Sequence, residues 1–106
     1  MELYAFHLMP YPNIDPEVRE KYSSAWVVYP NSEYDPVLGQ SLYSEYLDQL
    51  AFADQIGFDA VVVNEHHQNA YGLMPSPNIM ASALISRTQN AKIAILGNGI
   101  ALRDNP

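Results

Sequence analysis

The hydrophobic positions of this chain fall into short unbroken runs and longer helical repeats, which polar and proline-rich segments separate. The clearest run is residues 61–63, three consecutive valines. A short apolar run without period-2 alternation is typical of a strand buried on both faces. Two further strands are predicted at residues 3–8, which are rich in aromatic side chains and end at Met9-Pro10, and at residues 92–97.

Two stretches between these runs have the apolar spacing of helices. In the first, Asp35 followed by Pro36 is the pattern of an N-cap and a first helical residue. Gly39 is expected to delay the regular helix, so its predicted span is about residues 40–56. The second helix is predicted to begin in the same way at Ser76-Pro77. The apolar stripe of the first helix recurs three and four residues apart, at Tyr43, Tyr46, Leu47, Leu50 and Ala53.

The order of elements predicts the fold class. Strand, long loop, helix, strand, loop, helix, strand is an α/β pattern, which implies parallel strands with right-handed crossovers. About three strands and two helices leave two open sheet edges, so we interpret residues 1–106 as the N-terminal segment of a single (β/α)8 TIM barrel with its C-terminal remainder missing. Such a segment is expected to be marginally stable or prone to aggregation.

Residues 10–39 form a long insertion between the first strand and the first helix. Loops of this length inside compact domains are usually functional lids or disordered. Disorder is disfavoured here by apolar residues such as Tyr11, Tyr22 and Tyr29. We expect the loop to fold back over the strand ends, with a helical turn near residues 16–22. Its aromatic side chains either line a pocket or only anchor the loop.

Composition excludes several classes of function. The twelve acidic and five basic residues give a formal net charge of −7, which argues against a nucleic-acid surface. The absence of cysteine excludes disulfides and thiolate chemistry. No apolar run approaches the roughly 20 residues of a membrane span, and no signal peptide is recognisable, so a cytoplasmic protein is expected.

A polar cluster, Asn64 to His67, directly follows the valine strand. Parallel α/β sheets place their chemistry at the carboxyl ends of the strands, where the loops converge. On an extended backbone Asn64 and His66 would share one face, and Glu65 and His67 the other. No metal site is expected, because the i, i+4 histidine spacing of zinc helices is absent. A single histidine oriented by a carboxylate suits proton transfer.

Two further candidates lie at the ends of the other strands. Gly97-Asn98-Gly99 follows the third strand, where glycine allows a planar ligand to approach the backbone, although the same pattern fits a simple β-bulge. His7, near the end of the first strand, is either a pocket residue or a hydrogen-bonded core histidine.

Several of these stretches together resemble the N-terminal part of the bacterial luciferase-like, flavin-dependent monooxygenases. The specific element is Glu65-His-His67, with Gly72 five residues later after an aromatic residue, and then Pro77. The resemblance covers about residues 40–106 well and residues 1–8 loosely. The loop at residues 10–39 departs from luciferase proper, which has a much shorter connection there.

The resemblance implies a (β/α)8 barrel with reduced FMN at its C-terminal face. It implies that His66 is the catalytic general acid/base and that the Gly97-Asn98 backbone supports the isoalloxazine, often through a non-proline cis peptide. The phosphate-binding residues of the family lie later in the chain. We also predict Asn64 and Glu65 as cofactor-binding residues, and His7 and His67 as substrate or pocket residues.

The predicted function is that of a flavin-dependent oxidoreductase, a monooxygenase using reduced FMN and O2 on a small organic substrate. A flavin reductase as partner and a homodimeric full-length protein are expected, whereas this segment alone is expected to be inactive. Three alternatives remain at this stage. They are a deazaflavin-dependent oxidoreductase that transfers hydride, a non-catalytic flavin-binding barrel protein, and a metal-dependent hydrolase barrel.

Overall fold

The computed structural model describes residues 1–24, 27–67 and 70–102 of the chain. Residues 103–106, the end of the stretch that resembles the luciferase-like family, therefore lie outside the described residues. Short 3-10 turns occur at Asn31–Glu33 and Ile100–Leu102. The helices and strands in the described ranges follow in the order β1 (Tyr4–Phe6), α1 (Pro16–Arg19), α2 (Pro36–Gln55), β2 (Ala60–Val63), α3 (Pro77–Ile85) and β3 (Lys92–Ile95).

The three strands form one parallel sheet in the order β1-β2-β3. Val61 is level with Ala5 on one side and Ile93 on the other. Because all strands run in the same direction, their carboxyl ends meet at one edge of the sheet. The predicted parallel α/β arrangement is confirmed, and β1 is shorter than the predicted residues 3–8.

The core lies between the sheet and the helices α2 and α3. Val61 and Val63 are fully buried in it, together with Leu50 of α2 and Leu84 of α3. Alternate residues of a strand point to opposite faces, and on the other face Phe6 of β1 is 48% exposed. The central strand β2 is therefore buried on both faces, as the valine run predicted, while the second face of the sheet is open at β1 next to the strand ends.

Helix α2 begins earlier than the start at about residue 40 that we predicted from Gly39. The Asp35 side chain caps it by accepting the N–H groups of Val37 and Leu38 at 2.8 and 3.3 Å, so the helix starts at Pro36. The predicted delay at Gly39 is wrong. Gly39 lies inside the helix, where a Cβ atom would fall 1.7 Å from the Tyr34 hydroxyl. The glycine thus makes room for Tyr34 instead of weakening the helix start.

The remaining predicted helices are present with small differences. Helix α3 begins at Pro77 as expected, but the Ser76 side chain makes no capping hydrogen bond. The helical turn expected at residues 16–22 is α1, capped by Asp15.

In the part of the chain that the structure describes, no helix is both long and apolar enough to cross a membrane.

Asp54 anchors the connection between α3 and β3. Its carboxylate is buried and accepts three backbone N–H groups, from Gln89, Asn90 and Ala91, at 2.8, 3.0 and 2.6 Å. These hydrogen bonds, that from Gln89 foremost, lower the pKa of Asp54. One carboxylate of α2 therefore fixes where β3 enters the sheet.

The long loop is tied to the segment that follows β2. The Leu73 N–H donates to the Met9 carbonyl at 2.8 Å, and the Tyr11 N–H donates to the Tyr71 carbonyl at 3.2 Å. Pro10 and Gly72 form an isolated β-bridge between these two hydrogen bonds. These contacts tie the start of the loop to residues 71–73, and a role of the whole loop as a lid over the strand ends stays a prediction.

Candidate functional site

A cleft of about 570 Å³ opens at the carboxyl ends of β2 and β3. Apolar side chains of Phe6, Leu8 and Leu96 form part of its lining. The structure also brings six of the seven predicted site residues to this one cleft, namely Asn64, Glu65, His66, His67, Gly97 and Asn98.

Asn64 immediately follows the last valine of β2, and its side chain is only 4% exposed. Among the described residues, neither its amide oxygen nor its amide nitrogen has a hydrogen-bond partner. A buried polar group without a partner costs on the order of 1–3 kcal/mol. Asn64 therefore offers an unused donor and an unused acceptor at the cleft.

Glu65 joins the end of β2 to the segment after β3. One carboxylate oxygen accepts the Gly99 backbone N–H, and the other lies 2.7 Å from His67 Nε2. The Glu65 side chain is 7% exposed, whereas that of His67 is 38% exposed. Glu65 and His67 thus lie close together, and they line the same cleft as Asn64 and His66, because the strand ends at Val63 and strict alternation of faces does not continue through these residues.

The backbone after β3 is unusual at one peptide bond, Leu96–Gly97, which is cis. The resemblance implied such a bond close by, at the Gly97-Asn98 backbone. A Cβ atom on Gly97 would meet no other atom within 4 Å, so this backbone faces open space. The side chain of Asn98 donates to Asn78 Oδ1 of α3 at 3.1 Å, which ties the segment to the first turn of that helix.

His66 is half-buried and is oriented by residues 71–74. Its backbone N–H donates to the Met74 carbonyl at 2.8 Å, and its ring lies edge-on to Tyr71 with 6.2 Å between centroids. A Cβ atom on Gly72 would lie 2.8 Å from His66 Cδ2. Within the described residues no hydrogen bond to either ring nitrogen is present, so the imidazole is fixed by packing and keeps its proton-exchanging atoms unused.

His7, the seventh predicted residue, packs against α2. Its Nδ1 accepts the Met9 N–H at 2.9 Å, so Nε2 carries the proton and donates to Gln49 Oε1 at 2.8 Å. The ring also lies 4.6 Å from that of Tyr46. His7 is thus hydrogen-bonded through both ring nitrogens but only half-buried, and its pocket role stays a prediction.

A second space, which we call the rear pocket, is also lined by His66. It measures about 250 Å³ and is lined by Asn31 and Tyr34 of the long loop, Tyr43 of α2, and Gly72. The sequence did not identify this pocket. The only signal in the sequence was the aromatic content of the loop, which fitted simple anchoring equally well.

No group of three or more histidine, aspartate or glutamate side chains that could hold a metal ion is found in the described ranges.

Comparison of the sequence with known protein families assigns the chain to one of them. The sequence profile of the luciferase-like monooxygenases matches residues 24–96. This chain belongs to that family.

Two curated proteins are similar to part of the chain. The uncharacterized protein y4wF of Sinorhizobium fredii is 34% identical over 61 residues, which is 55% of this chain and 18% of that protein. The alkanal monooxygenase beta chain of Vibrio harveyi is 38% identical over 56 residues, 53% of this chain and 17% of that protein. The aligned region therefore spans less than a fifth of either relative.

A solved structure extends the comparison to the fold. It is the oxygenating constituent of 3,6-diketocamphane monooxygenase from Pseudomonas putida, a type II Baeyer–Villiger monooxygenase in complex with FMN. The match has a TM-score of 0.60 and 18% identity, and covers 92% of this chain and 21% of that one. The three-stranded parallel sheet and its helices thus match part of a luciferase-like TIM barrel, which confirms the predicted fold, and the profile match over residues 24–96 confirms the predicted family.

Proposed function

We propose that the cleft binds reduced FMN and that this chain acts in a monooxygenase using O2 on a small organic substrate. The observation that carries the proposal is the convergence of His66, the unpaired Asn64 amide and the Gly97-Asn98 backbone in one cleft. The FMN in the solved family structure supports the choice of cofactor. A separate flavin reductase and a homodimeric full-length protein belong to the same proposal.

The residues of the cleft fit a flavin. The isoalloxazine ring is planar and apolar over most of its area, which suits Phe6, Leu8 and Leu96. The unsatisfied Asn64 amide is complementary to a ring edge that carries both N–H and C=O groups. The open side of Gly97 leaves the backbone accessible to such a ring. When bound, reduced flavin would supply the electrons that activate dioxygen.

In this proposal His66 holds and moves a proton at the wall of the cleft. A histidine side chain can gain or lose a proton near neutral pH, which is what a general acid/base requires. The ring is held by Gly72 and Tyr71 and keeps its nitrogens available. Proton transfer therefore needs no rearrangement of the histidine.

Glu65 and His67 have a positioning role in the proposal. The Glu65 carboxylate holds Gly99, and His67 in turn lies against Glu65. This chain of contacts sets the distance between the end of β2 and the backbone after β3, and with it the width of the cleft. Both residues would influence flavin affinity without touching the reacting atoms.

The test is the reaction of protein-bound reduced cofactor with oxygen. Reduced FMN and reduced deazaflavin would be mixed anaerobically with the full-length protein, and oxygen would then be admitted in a stopped-flow instrument. We expect reduced FMN to bind and its reaction with oxygen to differ in rate from that of free reduced FMN. Binding of deazaflavin alone would favour hydride transfer, and flavin binding that leaves the oxygen reaction unchanged would favour a non-catalytic protein.

A further inference from the structure

The rear pocket and the cleft share His66 as a lining residue. The rear pocket is the smaller space, about 250 against about 570 Å³. Ligand pockets for drug-sized molecules measure roughly 300–1,000 Å³, so the rear pocket suits a small molecule or one portion of a larger one. A group inside it would lie against the same imidazole that faces the cleft.

The lining of the rear pocket is mostly apolar. Apart from His66, its described lining residues include no side chain that carries charge near neutral pH, and Ala70, Leu73 and Pro75 supply apolar surface. Burial raises the pKa of both Tyr34 and Tyr43, so these phenols stay protonated and neutral at physiological pH. Where the imidazole is neutral, a charged ligand would lose its hydration here without gaining a partner of opposite charge.

The wall that the loop contributes is held in place. Tyr34 packs on α2 where Gly39 lacks a side chain, and its ring lies 5.2 Å from that of Tyr11. The Tyr11 hydroxyl accepts the backbone N–H of Asp35, the N-cap of α2, at 3.0 Å. The pocket is therefore preformed, and a ligand need not pay the entropic cost of ordering the loop.

We infer that the rear pocket binds the non-reacting part of the organic substrate, a small, uncharged and mostly apolar group with one hydrogen-bonding function. Aromatic faces of Tyr34 and Tyr43 contact its body, and the amide of Asn31 is available to its polar function. This inference rests on the proposed function for the meaning of "substrate". The binding itself is a property of the pocket and can be measured without flavin.

The experiment follows the imidazole resonances of the flavin-free full-length protein labelled with ¹³C-histidine. Residues 1–106 contain three histidines, of which His7 and His67 serve as internal references for His66. The probe is benzyl alcohol, compared with benzoate and benzylammonium as charged molecules of similar shape. We expect a saturable shift of the His66 signal with benzyl alcohol and at least about tenfold weaker binding of both ions at pH 8, where an ordinary imidazole is neutral and the ions would be desolvated without a partner.

A matched pair of variants locates the binding. Asn31→Trp places a large ring at the pocket, whereas Asn13→Trp makes the same change at another exposed position of the loop. We expect the first to weaken benzyl alcohol binding at least about tenfold and the second to leave it within about twofold. Circular dichroism would establish that both variants are folded. The comparison of the three probes uses only the unmodified protein, so it tests the inference even if a variant does not fold.

Three outcomes would overturn the inference: no saturable shift of His66, equal binding of the ions, or unchanged affinity in folded Asn31→Trp. If benzyl alcohol binds as expected but reduced FMN does not bind, the pocket stands and the proposed function fails. If reduced FMN binds and reacts while benzyl alcohol leaves His66 unchanged, the proposed function stands and the pocket inference fails.

Discussion

The imidazole of His66 packs directly on the Cα atom of Gly72. A Cβ atom at position 72 would lie 2.8 Å from His66 Cδ2 and 3.0 Å from both its Cβ and Cγ. Such contacts are too short, so Gly72→Ala must move the ring. We expect turnover to fall by about 10–100-fold, because a displacement of about 1 Å can cost that much. Steady-state kinetics of the full-length enzyme would measure the turnover. The affinity for reduced FMN should stay within a few fold of that of the unmodified enzyme.

A double variant distinguishes an effect of Gly72→Ala on the position of His66 from a general effect on the structure. If Gly72 acts through the imidazole, Gly72→Ala should lower turnover far less in a His66→Ala background than in the unmodified enzyme. Equal, additive losses in both backgrounds would mean that Gly72 acts on something other than the histidine.

Glu65 is predicted to control cofactor affinity. Glu65→Ala removes an acceptor of the Gly99 N–H and a partner of His67, and the loss of a hydrogen bond to a charged group costs about 1.5–3 kcal/mol. We expect about tenfold weaker binding of reduced FMN, measured by anaerobic fluorescence titration. Glu65→Gln keeps an oxygen for Gly99 and should recover most of the affinity. If both variants bind as tightly as the unmodified protein, Glu65 does not shape the cleft.

The contact between Tyr34 and Gly39 predicts that the effect of Gly39→Ala on the free energy of unfolding changes sign when the Tyr34 side chain is removed. Gly39→Ala collides with the Tyr34 side chain, and such overpacking typically costs about 1–3 kcal/mol. In a Tyr34→Ala background the same substitution should instead stabilise the protein by up to about 1 kcal/mol, because alanine favours a helix interior over glycine. Urea denaturation of the four proteins would measure both effects. Destabilisation in both backgrounds would contradict the explanation given for Gly39.

The sequence was sufficient to predict the elements whose signals are local. The three valines of β2 and the Asp35-Pro36 start of α2 each carry their own physical cause, burial of β-branched residues and capping of free N–H groups. Polar residues after the strands then predicted the site, because parallel strands bring their carboxyl ends together. Six of the seven residues named from sequence line the cleft for that reason.

What the sequence could not predict depends on contacts between distant segments. Gly39 has the local signature of a helix breaker, and only the packing of Tyr34 explains its place inside α2. The hydrogen bond of His7 to Gln49 of α2 likewise joins residues 42 positions apart, which no local pattern predicts. The rear pocket requires a loop and a helix to meet around His66, for which no spacing rule exists.

The lowered pKa of Asp54 predicts that part of the protein's thermal stability is lost at acidic pH. Its pKa is lowered by the backbone N–H groups that it accepts, so its stabilising effect is complete above the ordinary aspartate pKa of about 3.9 and is lost as the pH falls through the lowered value. We expect Asp54→Asn to lower the melting temperature at pH 7, and the difference from the unmodified protein to shrink below about pH 4. Thermal denaturation across pH 3–7 would measure it.

Asp48→Asn is the matched control for that prediction. Asp48 is also on α2, but it is largely exposed and pairs with Arg87 at the surface, where ion pairs contribute little. Its melting temperature should stay close to that of the unmodified protein at each pH. Equal effects of the two substitutions would show that Asp54 does not anchor the entry to β3.

The central claim is that His66 exchanges the proton of a flavin-dependent reaction at the ends of β2 and β3. Its most direct test compares turnover and reduced-FMN affinity of full-length His66→Ala and His66→Gln with those of the unmodified enzyme. We predict turnover lower by about 10²–10⁴ in both variants, with flavin affinity within a few fold. Unchanged turnover in His66→Ala would contradict the claim.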